Sequence, residues 1–517
     1  MSEANRGLSI PGHWKRVKLG QLITKTTDKV EPDSVDSLPY LGLKHLEQGT
    51  GKLAGKGDAE EVSSTKNLFR EGDILYGKLR PYLNKVWRAS FDGICSTDIL
   101  VFRTSDQLLP EFLHWRLLCS DFVAYADQNS SGVNHPRVSF KEVSEYAIGV
   151  PPLPEQRRIV AKIEELFSNL DAGMGDLQTA ERQLERYRLS VLQAAVEGRL
   201  TADWRETHDP EPADQLHDRI RNEKKQLYDS GKIRKPKERP APEEDEIPFS
   251  IPERWSWIRI TELMYNWRSG LEKRNSEQGP ELEYPYIKMG DITDDGRLTL
   301  DSVTRVGAEP EDVEKYKLSR GDFLFNVRNS KKLVGKSCVF DVESDETYLF
   351  NNNILRVDFG GKVSTKYINY WFCSAAGRDM LEELKSSTTN VAAIYHKDFF
   401  TCILPLPPLA EQKRIVDEVE RLLSVADDAS DTADREHTRA ERLRQSILKQ
   451  AFSGQLVPHE DGETPSIPDT STTVANGKDE QESRSPTTDG NATEERSADG
   501  DDLLDGIDES NQIEMDI

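Results

Sequence analysis

The chain has 517 residues, which is long enough for two to four domains. Its net charge is −24, and −15 of this lies between Leu456 and Ile517, where 18 acidic and 3 basic residues occur. The acidic body argues against a general nucleic-acid-binding surface but is compatible with a local basic groove. The five scattered cysteines form no C-x-x-C pair, and no segment approaches 18 apolar residues. We therefore expect reduced core cysteines and a cytoplasmic protein without disulfides or a membrane span.

The first module, residues 8–153, is predicted to be a mixed α+β domain. Short runs rich in β-branched and aromatic residues predict strands at 38–46, 73–79, 93–103 and 146–153. The stretch 110–126 predicts a single helix, because Pro110 suits a first turn and the apolar residues recur on one face.

A long helix is predicted at 154–200, and a second one at 408–456. In both, apolar residues recur at steps of four and three, which is typical of a helix that packs against another helix. The predicted seam consists of Ile159, Ile163, Leu166, Leu170, Leu177, Leu184, Tyr187, Val191, Ile415, Val419, Leu422, Leu443 and Ile447. The two helices are expected to form an antiparallel coiled coil within the chain.

The remaining segments are a linker, a second module and a tail. Residues 201–249 are predicted to be a linker, with a short helix near 214–228 and an extended, solvated stretch that is rich in proline and charge. Residues 250–407 form the second module. Residues 457–517 contain almost no large apolar residues, which predicts a disordered acidic tail.

The second half of the chain repeats the first. Ser9-Ile10-Pro11 with Trp14 returns as Ser250-Ile251-Pro252 with Trp255, and Glu155-Gln156 returns as Glu411-Gln412. The helices match without a gap, whereas the modules differ by insertions, which loops tolerate and packed helices do not. The sequence therefore predicts an α+β protein with two homologous modules held apart by two helices of fixed length.

Motifs for catalysis or metal binding are absent from the sequence. The stretch 49–58 resembles a phosphate-binding loop but has Gly57 where the motif needs Ser or Thr. No methyltransferase motif, nucleophile elbow or metal-ligand spacing occurs, and His45 and His114 are interpreted as ordinary polar or core residues. The chain is predicted to be a non-catalytic binding component with no metal site.

The combination of repeats resembles the DNA-specificity subunit of type I restriction–modification enzymes. The resemblance covers about residues 8–457 and rests on PPLPEQRRIV from Pro151, its second copy PPLAEQKRIV from Pro407, and the matched helix ends. It implies target-recognition modules that each read half of a split DNA sequence, and helices that set the gap. It also implies double-stranded DNA, two methyltransferase subunits and restriction/translocase subunits as partners, with S-adenosylmethionine, ATP and Mg bound by those subunits and not by this chain.

Two polar, cationic regions in each module are candidates for DNA contact. Arg, Lys, Asn, Ser, Thr and His side chains on loops can bind phosphates and base edges. The first module supplies Lys78, Arg80, Asn84, Lys85, Ser130, Ser131, Asn134, His135 and Arg137. The second supplies Arg328, Asn329, Lys331, Lys332, Ser387, Thr388, Thr389, Asn390, His396 and Lys397.

Two other functions compete with DNA recognition by a specificity subunit. The polar regions could also be merely solvated loops, although their matching places in the two modules favour DNA contact. A separate alternative is a coiled-coil scaffold that uses its modules for protein contacts and has no DNA specificity. A fused restriction–methylation enzyme would need catalytic motifs and a length that this chain does not have.

Overall fold

The computed structural model describes residues 10–32, 38–235, 239–387, 391–460 and 462, with only the backbone of Ser387. Within this part, two mixed α+β modules are each followed by a 44-residue helix, which confirms the predicted fold class. Apart from 457–460 and Gly462, the predicted acidic tail lies outside the described residues. No helix of the described residues is long and apolar enough to span a membrane.

The first module and the long helix that follows it supply β1–β11 and α1–α4. The strands are β1 Lys15–Lys18, β2 Ile23–Lys25, β3 Lys29–Val30, β4 Pro39–Leu41, β5 Gly57–Asp58, β6 Lys66–Phe69, β7 Ile74–Gly77, β8 Val86–Arg88, β9 Gly93–Cys95, β10 Ile99–Thr104 and β11 Ala147–Val150. The helices are α1 Pro110–Leu117, α2 Ser120–Gln128, α3 Phe140–Glu145 and α4 Leu153–Val196.

The second half supplies β12–β23 and α5–α12. The strands are β12 Ser256–Arg259, β13 Asn266–Ser269, β14 Tyr284–Ile287, β15 Arg305–Val306, β16 Asp322–Asn326, β17 Arg328–Asn329, β18 Ser337–Phe340, β19 Leu349–Phe350, β20 Ile354–Asp358, β21 Ser386–Ser387, β22 Ala392–Ala393 and β23 Ile403–Leu406. The helices are α5 Ala202–Thr207, α6 Ala213–Asp229, α7 Ile260–Leu263, α8 Pro310–Tyr316, α9 Thr365–Cys373, α10 Ala375–Glu383, α11 His396–Phe399 and α12 Leu409–Phe452.

The two modules share a core topology. The sheet β2-β10-β7-β8 of the first module corresponds to β13-β20-β16-β18 of the second, and all neighbours in both are antiparallel. The parallel pair β4–β9 corresponds to the parallel pair β14–β19. In both modules the first strand pairs with the last, β1 with β11 and β12 with β23. The ends of each module therefore meet where the long helix begins.

The helical part of each module is interrupted at the same place. The predicted single helix at 110–126 is wrong, because the backbone at Cys119 is extended and α2 starts afresh at Ser120. In the second module the backbone is extended at Ser374, whose hydroxyl accepts a hydrogen bond from the Gly377 amide at 3.2 Å. The apolar face continues across the break although the helix does not, so its periodicity alone could not reveal the break.

Much of the predicted linker is docked on the second module. The predicted short helix is confirmed as α6, and its Leu216 and Ile220 are buried in the core of that module. The Lys224 ammonium donates hydrogen bonds to the carbonyls of Thr261 and Glu262 at 2.8 and 3.1 Å, and burial lowers its pKa to about 8.

Farther along the linker, the predicted extended and solvated stretch is also partly packed. Arg259 of β12 donates hydrogen bonds to Glu246 at 2.7 Å and to the Pro240 carbonyl at 3.2 Å. Most of the described part of this stretch is exposed, as predicted, and these contacts tie Pro240 and Glu246 to the module.

The helices α4 and α12 pack against each other antiparallel. Asp171 pairs with Arg444, and Arg188 pairs with Asp427, so positions early in one helix meet positions late in the other. Along the predicted seam, Ile159, Ile163, Val191, Ile415, Val419 and Ile447 are buried, Leu166, Leu170, Leu177, Leu184 and Leu422 are half-buried, and Tyr187 and Leu443 are exposed.

Each end of the coiled coil is closed by three parts of the chain. At the first corner, defined by Trp14, Glu155 and Gly454, the indole N–H of Trp14 donates to the Glu155 carboxylate at 2.9 Å. Gly454, at the end of α12, has φ +72°, and a side chain there would clash with Pro11. The first corner thus joins the start of the module, the start of α4 and the end of α12.

The second corner, defined by Trp255, Glu411 and Gly198, repeats this arrangement at the other end. Trp255 donates to Glu411 at 2.8 Å, and a Cβ atom at Gly198 (φ +75°) would lie 2.7 Å from Pro252. Both glutamates are buried. The repeated sequence motifs therefore form the same set of contacts at both ends of the coiled coil.

The glutamine beside each glutamate fixes the helix to its own module. Gln156 donates to the Pro151 carbonyl at 3.0 Å and accepts from the Leu109 amide at 2.9 Å. Gln412 donates to the Pro407 carbonyl at 2.9 Å and accepts from the Ser364 amide at 2.8 Å. Each module is thus rigidly positioned at the start of its helix.

Candidate nucleic-acid interface

In the first module, folding brings the two predicted polar regions together. We call residues 78–85 and 130–137 the first loop cluster. The amide of Arg80 donates to the Pro136 carbonyl at 2.7 Å, and the amide of Val138 donates to the Lys78 carbonyl at 3.0 Å. The backbones of Ser131 and Arg137 bond to each other in both directions. Regions about 50 residues apart in sequence therefore form one surface.

The charge of the first loop cluster is arranged around Asp98. Lys78 Nζ and Arg137 Nε lie 3.5 and 3.3 Å from the Asp98 carboxylate. Lys78 and Arg80 are half-buried, and Arg137 is exposed. Asp98 pairs with two of these three cations, so the cluster keeps a net positive charge that can attract a phosphate.

Two residues of this cluster have strained backbones. Arg80 and Asn84 have φ values of +52° and +44°, and they are the non-glycine residues with positive φ among those that the structure describes. The left-handed conformation costs about 1–2 kcal/mol for a residue with a Cβ atom, and such strain concentrates at functional sites. The strained residues flank the short helical turn Pro81–Leu83 and hold it against α2.

Asn84 and Lys85 lie inside the loop. Asn84 is buried, and its Oδ1 has no hydrogen-bond partner among the described residues. Lys85 Nζ donates to the Leu43 carbonyl at 2.7 Å, and burial lowers the pKa of this ammonium group. These two residues shape the loop, while Lys78, Arg80 and Arg137 supply its charge. Ser130 bonds to the Asp127 carbonyl, and Asn134 and His135 are exposed.

The second module forms a matching surface by strand pairing. We call the described residues of 328–332 and 386–397 the second loop cluster. Strand β22 pairs antiparallel with both β17 and β21, which places Arg328 opposite Ala393. The Lys385 ammonium donates to the Lys331 carbonyl at 3.1 Å. The side chains of Arg328, Lys331 and Lys332 are exposed.

The other predicted residues of the second module lie in different settings. His396 is half-buried against the Trp267 ring, and its Nε2 lies 3.3 Å from the Ser269 hydroxyl. Lys397 has an exposed side chain, and its carbonyl accepts a hydrogen bond from Arg239. Ser387 contributes its backbone to β21, and Thr388, Thr389 and Asn390 lie outside the described residues.

Both halves of the chain match one family model. Residues 11–181 and 252–429 match the type I restriction modification DNA specificity domain. The chain belongs to this family. Each match spans a module and part of the helix that follows it, so the family unit is the repeat seen in the structure. The predicted resemblance is confirmed, and with it a DNA-recognition role and the assignment as a specificity subunit and not a catalytic one.

Several relatives carry the same description. The chain is 34% identical over 199 residues to the Type I restriction enzyme EcoDI specificity subunit of Escherichia coli, a match to 38% of this chain and 44% of that protein. It is 24% identical to the EcoKI specificity subunit of Escherichia coli (strain K12), and this match covers 68% of this chain and 69% of that protein. It is 24% identical to the EcoEI specificity subunit of Escherichia coli, covering 83% and 80%.

A solved structure shares the fold. A chain from a study of assembly and conformational transition in the type I R-M system superposes with a TM-score of 0.61 at 21% identity. It covers 87% of this chain and 100% of that chain. This likeness supports the architecture of two modules and two helices.

The specificity-subunit loops also expose apolar side chains that were not predicted. Val133 of the first loop cluster is fully exposed, and Val391 of the second is 47% exposed. Tyr82 and Tyr395, in the same clusters, are 47% and 49% exposed. The signal in the sequence is an apolar residue inside a run of polar turn residues.

Proposed function

We propose that the chain reads a bipartite, asymmetric DNA target, with one half-site bound by each loop cluster. The observation that carries this proposal is the equivalence of the two clusters. Both join sequence-distant cationic and polar regions on modules of the same topology, yet their side chains differ. Two equivalent surfaces with different side chains suit two different half-sites.

Within each cluster, cations and apolar side chains have separate tasks. Arg80, Arg137, Arg328 and Lys331 bind phosphates or guanine edges, since guanidinium and ammonium groups match both. Val133 and Val391 contact thymine methyl groups, because an exposed aliphatic side chain gains from covering a methyl group in the major groove.

The coiled coil acts as the spacer between the half-sites. Helices of 44 residues are about 66 Å long at 1.5 Å per residue. The antiparallel ion pairs and the two corners hold the modules in a fixed relation. The gap between half-sites is then set by helix length and not by loop flexibility.

The coiled coil also docks two methyltransferase subunits, with restriction/translocase subunits joining the complex. Tyr187, Val425 and Leu443 are 40%, 64% and 44% exposed on the helices, and a partner would cover them. S-adenosylmethionine, ATP and Mg are bound by these partner subunits.

Mapping of methylated bases tests this function. Genomic DNA is sequenced from a host that carries the methyltransferase genes with this chain, without it, or with Arg328→Ala and Lys331→Ala together. We expect a split motif that depends on the chain and is lost or relaxed in one half in the double variant. A coiled-coil scaffold without DNA specificity would leave the methylation pattern unchanged when the chain is removed.

A further inference from the structure

The first corner contains two histidines that meet one buried carboxylate. His13 Nε2 lies 3.0 Å and His459 Nδ1 lies 3.6 Å from Oε2 of Glu155. The two imidazole rings are stacked with centroids 3.8 Å apart. One ligand atom from each of the three residues lies within 4.8 Å of the others. Three groups with metal-ligand chemistry therefore lie close together.

The second corner shows what the glutamate requires. There the equally buried Glu411 is bonded to the Arg205 guanidinium and to the Thr201 hydroxyl. A buried carboxylate needs a compensating cation, and Arg205 is permanently charged. Among the described residues, the Glu155 carboxylate is reached by His13, Trp14 and His459. The first corner thus presents imidazoles where the second presents a cation.

We propose that His13, Glu155 and His459 bind a divalent transition-metal ion of the zinc class. Zinc bound by nitrogen and oxygen at about 2.0 Å in a tetrahedron places its ligand atoms about 3.3 Å apart. The observed separations of 3.0 and 3.6 Å bracket this spacing. Water completes the fourth position.

The surroundings of the three ligands also suit a metal. The indole N–H of Trp14 donates to Oε1 of Glu155 at 2.9 Å, which leaves Oε2 aimed at the histidines. Such hydrogen bonds orient metal-binding carboxylates and raise metal affinity. Arg158 holds the segment after α12, because it donates to the Pro458 carbonyl at 3.3 Å and pairs with Glu460 at 3.4 Å. His459 is thereby kept beside the site.

The metal would join distant parts of the chain. Its ligands come from the start of the first module, the first turn of α4 and the segment after α12. It would lock the first corner in the way that Arg205 locks the second. No spacing in the sequence indicates the site, because 142 and 304 residues separate the ligands.

Calorimetric titration of the full-length chain without a histidine tag, with ZnSO4 as the probe, tests the proposal. We expect one equivalent to bind and the thermal midpoint to rise. His459→Ala and His13→Ala should each weaken binding at least tenfold and abolish the rise. His208→Ala, which removes an exposed histidine elsewhere, is the control and should bind as the parent does. His459 is about one-third exposed, so its replacement should leave the fold intact.

Cobalt supplies an independent readout. Co²⁺ in the parent chain should show the visible absorption of a tetrahedral site with nitrogen and oxygen ligands, and His459→Ala should not. Absence of stoichiometric zinc binding, or equal binding by the parent and both ligand variants, overturns the proposal. A corner held only by hydrogen bonds between the histidines and Glu155 would give no response to zinc, which also overturns it.

Discussion

Trp255 donates its indole N–H to the carboxylate of Glu411 at 2.8 Å, across 156 residues of chain. The equivalent bond from Trp14 to Glu155 is 2.9 Å long. These bonds connect the residue just before the first strand of each module to the first turn of the helix that follows the module. They place a buried charge at each end of the coiled coil, and the stability of the chain should depend on how that charge is compensated.

Replacing Arg205 should therefore destabilise the second corner. Arg205→Ala leaves Glu411 buried without its cation, and removal of one partner from a buried pair costs about 3 kcal/mol. Urea unfolding measures the loss. Arg199→Ala is the control, because Arg199 pairs with Glu197 near the surface and should cost less than about 1 kcal/mol. Equal losses in both variants would show that the corner charge is not important.

The glycine at the end of each long helix should resist substitution for two reasons. Gly198→Ala imposes a left-handed residue with a Cβ atom, at about 1–2 kcal/mol, and adds a clash with Pro252. Gly231→Ala is the matched control, because Gly231 has φ +72° but open space around it. We expect Gly198→Ala to lower the unfolding free energy clearly more than Gly231→Ala. Similar losses would show that backbone strain alone matters there.

Substitutions in the two loop clusters should affect DNA binding through different half-sites. Arg80→Ala with Arg137→Ala should weaken binding through one half-site, and Arg328→Ala with Lys331→Ala through the other. The logarithm of the binding constant falls linearly with the logarithm of the salt concentration. A lost phosphate contact reduces the slope of this line by about 0.9 for every sequence. A lost base contact costs about 1–3 kcal/mol and relaxes one position.

Titration of matched and mismatched duplexes at several salt concentrations measures both effects. Arg186→Ala, an exposed cation on α4, is the control and should bind DNA as the parent does. Unchanged binding in both double variants would remove the clusters from the DNA surface.

Lengthening the coiled coil should widen the target. One heptad added to each helix lengthens it by about 10 Å, which corresponds to about three base pairs of B-DNA. A heptad keeps the seam facing its partner, so the pair should still fold. The duplex turns by about a third of a turn over this distance, so some loss of affinity is expected. The methylated motif reports the gap, and an unchanged gap in an active variant would contradict the spacer role.

His114 should make the first module sensitive to acid. Burial, with a contribution from Arg88, lowers the pKa of His114 to about 3. The unfolded chain therefore binds a proton that the folded chain does not between pH 6.5 and about 3. Stability from neutral His114 is complete above pH 6.5 and falls as pH decreases through this window. The difference between the thermal midpoints at pH 7 and pH 5 should be smaller in His114→Gln than in the parent. In the control His208→Gln, which replaces an exposed histidine, this difference should equal that of the parent.

The sequence revealed the repeated parts better than the contacts between them. Periodicity of apolar residues was enough to predict α4 and α12 and their pairing, because a seam must face a partner along its whole length. It did not show that α6 docks on the second module, since Leu216 and Ile220 have no nearby sequence partner. The roles of Glu155 and Gln156 also depend on residues far along the chain, and a first-turn position alone could not reveal them.

In the loop clusters too, the sequence identified candidate residues but not the contacts that they make. Residue type identified Arg80 and Arg137 as candidates, but only folding shows that their loops are bonded through Pro136. Residue type also suggested Asn84 and Lys85, although both point into the protein. Side-chain direction in a loop depends on backbone angles such as the positive φ of Asn84, and composition does not encode those angles.

The antiparallel packing of α4 and α12 relates the two modules by an approximate half-turn, so they would approach a duplex with opposite polarity along its axis. Two-fold symmetry in a protein is mirrored by inverted symmetry in the DNA that it reads. A chain built from two copies of the same module would accordingly select an inverted repeat. Under the proposed function, the differences between the Arg328 and Arg80 loops would make the target directional, and the bound subunit would distinguish one strand orientation from the other.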